Sequence, residues 1–253
     1  MRRFFTSNPF VYTAGLIFVF ALWLLISATL GAGSLIFPSP IATFTALGEM
    51  LSDSYIYDCL GRTLLRTLEG FGISFAMALV LGSLAGQFTW LQRFFKPGLI
   101  VLKSAPTAAF VFLFLILSGA SQAPIYIVVI LAFPILYEAV VGGINAIPKQ
   151  LIYAARIDAA SPLSMTLRIR IPLAVPFIVL GVMSSFALSF KTTIMAEIIA
   201  GDTKPGLGSA IANYRALDPT NLAPIFAIAF LAIVVVLLMD VLSLLARKAF
   251  GKR

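Results

Sequence analysis

Apolar residues in this chain gather into long, nearly uninterrupted runs instead of alternating or recurring on one helical face. Runs of about 20 apolar residues, the length that carries a helix across a hydrocarbon core, fall at residues 10–30, 68–88, 99–118, 124–144, 173–200 and 222–245. The pattern predicts an all-α polytopic membrane protein with about six transmembrane helices. The fifth run is long enough to tilt or to carry a broken end. Between the first two runs, Phe37-Pro38-Ser39-Pro40 predicts a rigid turn, and the segment 41–51 sets Ile41, Phe44, Leu47 and Leu51 on one helical stripe. A short helix on the outer membrane surface is expected there. Gly82 and Gly86 form a G-x-x-x-G pair in the second run, read as packing glycines that let two helices approach closely.

Charges fall between the runs, and their distribution sets an orientation. With the amino terminus in the cytoplasm, the inner segments hold Arg2, Arg3, Arg93, Lys96, Lys149, Arg156, Arg168, Arg170, Arg247, Lys248, Lys252 and Arg253, twelve of the 18 basic residues. Arg62, Arg66, Lys204 and Arg215 fall outside with Glu49, Asp53, Asp58, Asp202 and Asp218. Both termini are therefore expected to be cytoplasmic, in a multi-pass protein of a prokaryotic plasma membrane. The opening Met1-Arg2-Arg3 before an apolar run resembles a signal peptide, but the run is too long and no A-x-A site follows. A retained first span is expected.

Composition narrows the chemistry. Of the 253 residues, 60% are hydrophobic and 11% charged, where a soluble domain carries roughly a quarter charged. The net charge of +8 is dispersed at the ends of apolar runs, which fits membrane topology and not nucleic-acid binding. Histidine is absent and Cys59 is the one cysteine. Disulfide frameworks, Cys/His zinc sites and catalysis with a histidine base are thereby excluded. No catalytic residue and no metal site is expected, and Cys59 reads as a small, partly buried side chain.

Ionisable groups inside hydrocarbon are costly and mark candidate sites. Lys103, Glu138, Lys191, Glu197 and Asp240 qualify, with Asp240 assigned to structure because it lies near the basic tail. Lys191, midway along the fifth run beside Thr192 and Thr193, has two readings. It lines an anion's path, or it forms a buried ion pair with Glu138 or Glu197, of which Glu138 is geometrically freer. Pro106 should kink the third run and free a carbonyl. Lys103, Pro106, Glu138, Lys191, Thr192 and Glu197 are thus the translocation-path candidates.

The segment 146–172 is the informative inner loop. Pro148 can open a short helix whose apolar side is Leu151, Ile152, Ala155 and Ile157, and Ser161-Pro162 supplies an N-cap and first turn for a second helix, expected to end before Pro172. Small residues, Ala154, Ala155, Ala159 and Ala160, flanked by Tyr153, Arg156 and Asp158, suit insertion into a partner's groove.

Tyr153-Ala154-Ala155-Arg156-Ile157-Asp158-Ala159-Ala160-Ser161, followed by Ile171-Pro172-Leu173-Ala174, resembles the EAA loop of ABC (ATP-binding-cassette) importer permeases. Tyr153 stands where that pattern has glutamate and Ala159 where it has glycine. The F-P-S-P segment at 37–40, Arg66 with Gly70-Phe71, Lys103-Ser104-Ala105-Pro106, and Ala196-Glu197 with Gly206-Leu207-Gly208 resemble further landmarks of the nitrate/sulfonate/taurine-type permeases, in order from 37 to 239.

The resemblance implies a type I ABC importer permease fold in a single permease domain. In it, residues 1–60 form the first span and outer helix, 61–245 the core bundle, and 146–172 the cytoplasmic coupling loop. It also implies a second permease copy in a dimer, two ABC ATPase subunits seated on Tyr153, Ala154, Ala155, Arg156, Asp158, Ala159, Ser161 and Pro172, and an extracytoplasmic solute-binding protein. The chain holds no G-x-x-x-x-G-K-[ST] loop, so ATP and Mg are expected on the partner ATPase and no cofactor on this chain. The expected cargo is a small solute, anionic by the lean of Lys191, such as a sulfonate, taurine, nitrate or a vitamin precursor. The competing readings are an ATP-independent secondary transporter, an intramembrane enzyme and a structural membrane subunit. The first wants a repeat and the second a paired catalytic motif, and the chain displays neither.

Overall fold

A computed structural model describes residues 8–30, 37–148, 150–153 and 161–250. Among the described residues the secondary structure is helical throughout. The helices are α1 (Asn8–Leu30), α2 (Pro40–Leu51), α3 (Ser54–Ala85), α4 (Thr89–Ser104), α5 (Thr107–Ser118), α6 (Ala123–Asn145), α7 (Pro162–Met165), α8 (Ile171–Ala200), α9 (Leu207–Leu217) and α10 (Ala223–Phe250). Four described segments are long and apolar enough to cross a membrane: Ser54–Ala85, Ala123–Asn145, Thr166–Ala200 and Ala223–Val241. The third expected span is a fifth only if two helices count as one, because α4 and α5 meet at 96°. The first expected span is α1, with a shorter apolar stretch, Thr13–Thr29.

The chain divides into two compact units, Met1–Tyr57 with Ile211–Ala232, and Asp58–Ala210 with Ile233–Arg253. In the first unit, Ser39 caps α2 by accepting the Ala42 amide at 3.1 Å, and Pro40 occupies the first turn, where a missing N–H costs nothing. The indole of Trp23 donates to the Pro38 carbonyl at 3.3 Å, and Phe44 lies edge-on to Phe230 at 5.1 Å. The expected stripe of α2 is turned outward. Ile41, Phe44 and Leu51 are exposed while Thr43 and Met50 are buried, as a helix lying on hydrocarbon would require.

The second unit is built around α6, which buries Val128, Ala132, Leu136, Tyr137 and Val140. Helix α3 meets it along a seam of small residues one or two turns apart: Gly70, Ser74, Ala78, Gly82 and Ala85 are all buried. A Cβ at Gly70 would stand 2.7 Å from the Ile125 carbonyl oxygen, and one at Gly82 2.9 Å from the Val140 Cβ. Gly86, just past the helix, stands as close to Ile144. The G-x-x-x-G reading therefore holds. In lipid, where hydrocarbon offers no hydrophobic drive between helices, such close approach supplies dispersion contact. Ser74 adds a hydrogen bond across the seam, donating to the Val129 carbonyl at 2.8 Å.

On this geometry Gly82→Leu is expected to force α3 off α6. Overpacking of this kind costs about 1–3 kcal/mol or more. The yield of monodisperse protein in detergent, compared with Gly72→Leu on the exposed side of the same helix, checks it.

Helix α8 packs against α6 from another side, with Ala139 against Gly181 and Ala174 against Gly143. The cytoplasmic-loop helix expected to end before Pro172 does not end there. Ser161 does cap it, accepting the Ser164 amide at 3.1 Å, but the chain then passes through a π-helical turn, Thr166–Arg170, straight into α8. The Ile171 amide reaches back to the Thr166 carbonyl. A proline early in α8 removes one donor, and the wider turn absorbs that loss without breaking the helix.

Candidate functional site

A polar cluster is centred on Glu197, near the carboxyl end of α8 and 1% exposed. Its Oε1 accepts from Arg66 Nη1 at 2.8 Å, and its Oε2 accepts from the Thr63 hydroxyl at 2.9 Å and the Gly208 amide at 3.0 Å. The second arm of Arg66 donates to Asp202 and, at 3.1 Å, to the Lys204 carbonyl. Thr63 in turn accepts the Leu207 amide at 2.8 Å, and one turn along α3 Thr67 donates to the Thr193 hydroxyl at 2.9 Å.

The cluster staples α3, the end of α8 and the first turn of α9. Glu197 acts as a long-range N-cap of α9, where free amides and the positive end of the helix dipole favour a carboxylate. Gly206-Leu207-Gly208 has glycines for a steric reason. A Cβ at Gly206 would stand 2.1 Å from Glu197 Oε1, and one at Gly208 2.1 Å from the Ile194 carbonyl oxygen. Between α8 and this loop, Gly201 takes φ +55° and turns the chain back.

Asp202 lies just beyond the span. Burial pushes its carboxyl up, but the Lys204 backbone hydrogen bond, the Arg66 guanidinium and the hydroxyls of Thr203 and Ser121 outweigh that and hold it below the usual carboxylate range.

Glu197 was expected on a translocation path, and the structure gives it a packing role between helices. Its carboxylate is buried and accepts from Arg66, Thr63 and Gly208, a set of bonds that ties helices together. Thr192, also expected there, is buried. It is 6% exposed and its hydroxyl donates to the Leu188 carbonyl at 2.9 Å, as Ser and Thr do within apolar helices. The Arg66, Thr63 and Asp202 partnership was missed, though one signal pointed to it. Thr63, Arg66 and Thr67 continue, at three- to four-residue spacing, the seam of small residues on α3 that sequence alone displays.

The remaining path candidates are exposed. Lys103, in the last turn of α4, forms an ion pair with Glu138 of α6, and both side chains are about half exposed, at 43% and 54%. The partner expected for Lys191 is thereby taken by Lys103. Immediately after Lys103, Ala105 is extended, with ψ 140°, as the residue before a proline tends to be, and Pro106 opens α5.

Lys191 lies on the exposed stripe of α8, in line with Leu180, Ser184, Leu188 and Met195. Neither Glu138 nor Glu197 pairs with it, and no ion pair to it exists among the described residues. Glu69, at the head of the second apolar run, is exposed as well.

Of the coupling-loop candidates, Tyr153 is 62% exposed at the end of a short helical turn, and Ser161 and Pro172 have the places given above. Ala154, Ala155, Arg156, Asp158 and Ala159 lie outside the described residues. Among the described residues no group of three or more His, Cys, Asp or Glu is placed to hold a metal ion.

Comparison with known proteins places this arrangement. Residues 78–251 match the family model of the binding-protein-dependent transport system inner membrane component. The chain is 25% identical over 204 residues to the putative aliphatic sulfonates transport permease SsuC of Bacillus subtilis, covering 80% of this chain and 73% of that one. It is 29% identical over 219 residues to the riboflavin transport system permease RibX of Chloroflexus aurantiacus, covering 86% and 80%. Among solved structures, the inward-facing MetNI methionine ABC transporter superposes with a TM-score of 0.68 at 19% identity, over 78% of this chain and 96% of that one.

Proposed function

This chain belongs to the family of binding-protein-dependent transport system inner membrane components and is a permease subunit of an ABC importer, and we propose that the solute it carries is a small anion. The observation that carries the proposal is Lys191, a cation on the exposed stripe of a membrane-spanning helix without an ion-pair partner among the described residues. A lone ammonium facing acyl chains would cost several kcal/mol, so this stripe should face a second copy of the chain and an aqueous path between them. The half-exposed pair of Lys103 and Glu138 belongs to the same path. Its net charge is zero, and the proposal assigns the sign of the solute to Lys191 and not to Glu69, an exposed acid on α3. A sulfonate-type relative fits that sign, and a riboflavin-type relative defines the neutral alternative.

In the proposed assembly two permeases meet about a two-fold axis and both termini lie in the cytoplasm. An extracytoplasmic solute-binding protein delivers the anion. The loop from Tyr153 to Ser161 engages a separate ATPase chain that holds ATP and Mg. Closure of the ATPase pair moves the loops and tips the spans between inward-facing and outward-facing states.

The test is to purify the tagged chain with its native partners and measure ATP hydrolysis against sulfonates, nitrate, bicarbonate, riboflavin and thiamine precursors in the presence of the binding protein. Stimulation by an anion is expected, with Lys191→Gln lowering uptake at limiting solute by about 10- to 100-fold, the worth of one charge-assisted contact. Stimulation confined to a neutral solute would overturn the anion assignment. A chain that purifies alone and transports without nucleotide would point to a secondary carrier instead.

A further inference from the structure

At the end of the second unit beside Tyr153, two cavities adjoin, one apolar and the other mixed. One is an apolar groove of about 380 Å³ between the end of α3 and the π-helical turn, walled by Val80, Leu84, Phe88, Leu167 and Ile171. The other is a pocket of about 260 Å³ in which Gln87, Asn145, Tyr153 and Arg170 stand beside Ile144, Ile147 and Ile152. Gln87 lines both, and the same turn supplies Leu167 to the groove and Arg170 to the pocket. Within the groove wall the Ser83 hydroxyl is buried and has no hydrogen-bond partner. A buried hydroxyl without a partner wants an acceptor.

We propose that these two cavities together bind one anionic phospholipid, with an acyl chain in the groove, an ester oxygen at Ser83 and the headgroup phosphate at the Arg170 pocket. The order of the features, apolar length, then a hydroxyl, then amides and a guanidinium, follows the order of groups along a phospholipid. The groove lies at the ends of two helices of membrane-spanning length, where lipid is the surrounding medium. The π-helical turn carries a second cation, the exposed Arg168, and basic pockets between membrane helices favour anionic headgroups. A neutral lipid would fill the groove equally well but would gain less from the pocket. The proposal does not depend on which solute the permease carries.

The test uses the full chain in a delipidated detergent micelle, titrated with phosphatidylglycerol or phosphatidylcholine of the same acyl composition and read by native mass spectrometry. One adduct per chain is expected, several-fold more populated with phosphatidylglycerol. Arg170→Gln should abolish that preference and Arg170→Lys should retain most of it. Val80→Phe, which fills the groove, should reduce adducts of both lipids. Equal adducts of the two lipids on the unaltered chain would overturn the proposal. So would a preference that survives Arg170→Gln together with undiminished adducts in Val80→Phe. If Arg170→Gln yields no monodisperse protein, Val80→Phe decides alone.

Discussion

Replacing Glu197 by alanine is expected to be the most damaging single side-chain truncation in the described part of this chain. The change leaves the Arg66 guanidinium, 7% exposed, with only Asp202 for charge, and strips the Thr63 hydroxyl and the Gly208 amide of their acceptor. Breaking a buried ion pair from one side costs about 3–5 kcal/mol, a large fraction of a typical folding free energy of about 5–15 kcal/mol. The outcome expected is a collapse in the yield of monodisperse protein, or a marked fall in the thermal unfolding midpoint in detergent. Glu197→Gln keeps the shape and one acceptor oxygen and should fall between. The triple change Arg66→Met, Glu197→Met and Asp202→Asn should recover part of the loss, because it removes every charge of the cluster and leaves none uncompensated.

A Glu197→Ala protein as stable as the original but inactive in transport would instead restore Glu197 to the solute path. The Asp202 arm adds a pH dependence of definite sign. Its folded value is held below the usual carboxylate range, so its stabilisation is complete above the ordinary carboxylate value and is lost as pH falls through the lowered one.

The second large effect belongs to the loop. Ala155→Arg puts a long cation beside Ala154 in the segment 154–160, whose alanines at 154, 155, 159 and 160 are proposed to seat on the ATPase. Co-purification of a P-loop ATPase should be lost and import should fall by at least about 100-fold, the equivalent of about 2.7 kcal/mol of docking energy. The unfolding midpoint should stay unchanged. Retained co-purification and import would remove this segment from the coupling interface and require another contact with the ATPase.

The helical, membrane-spanning architecture was legible in the sequence because lipid enforces a simple rule. Every backbone group must be satisfied within a segment, so a long apolar run has one solution. The glycine seam of α3 was legible for a related reason, since small residues four apart on an apolar helix have few uses besides close packing. What sequence could not supply was the pairing of charges between distant segments. Arg66 and Glu197 are 131 positions apart, and Lys103 and Glu138 are 35 apart. Charge alone does not say which acid meets which base. Proline was also ambiguous. Pro172 and Pro106 read alike as helix breakers, yet a π-helical turn accommodates the first and a 96° bend follows from the second. The difference lies in whether neighbouring helices hold the chain straight, which is a tertiary property.

The corner between α4 and α5 carries one more implication. A helix that stops leaves its last carbonyls without amide partners, and Pro106 contributes no N–H to relieve Leu102. Acyl chains cannot solvate those oxygens. A corner of this kind placed within the thickness of the bilayer would have to exclude lipid. On the proposed path, the exposed side of Lys103, Ser104 and Pro106 would separate the rim of the molecule that touches fat from the part that stays wet.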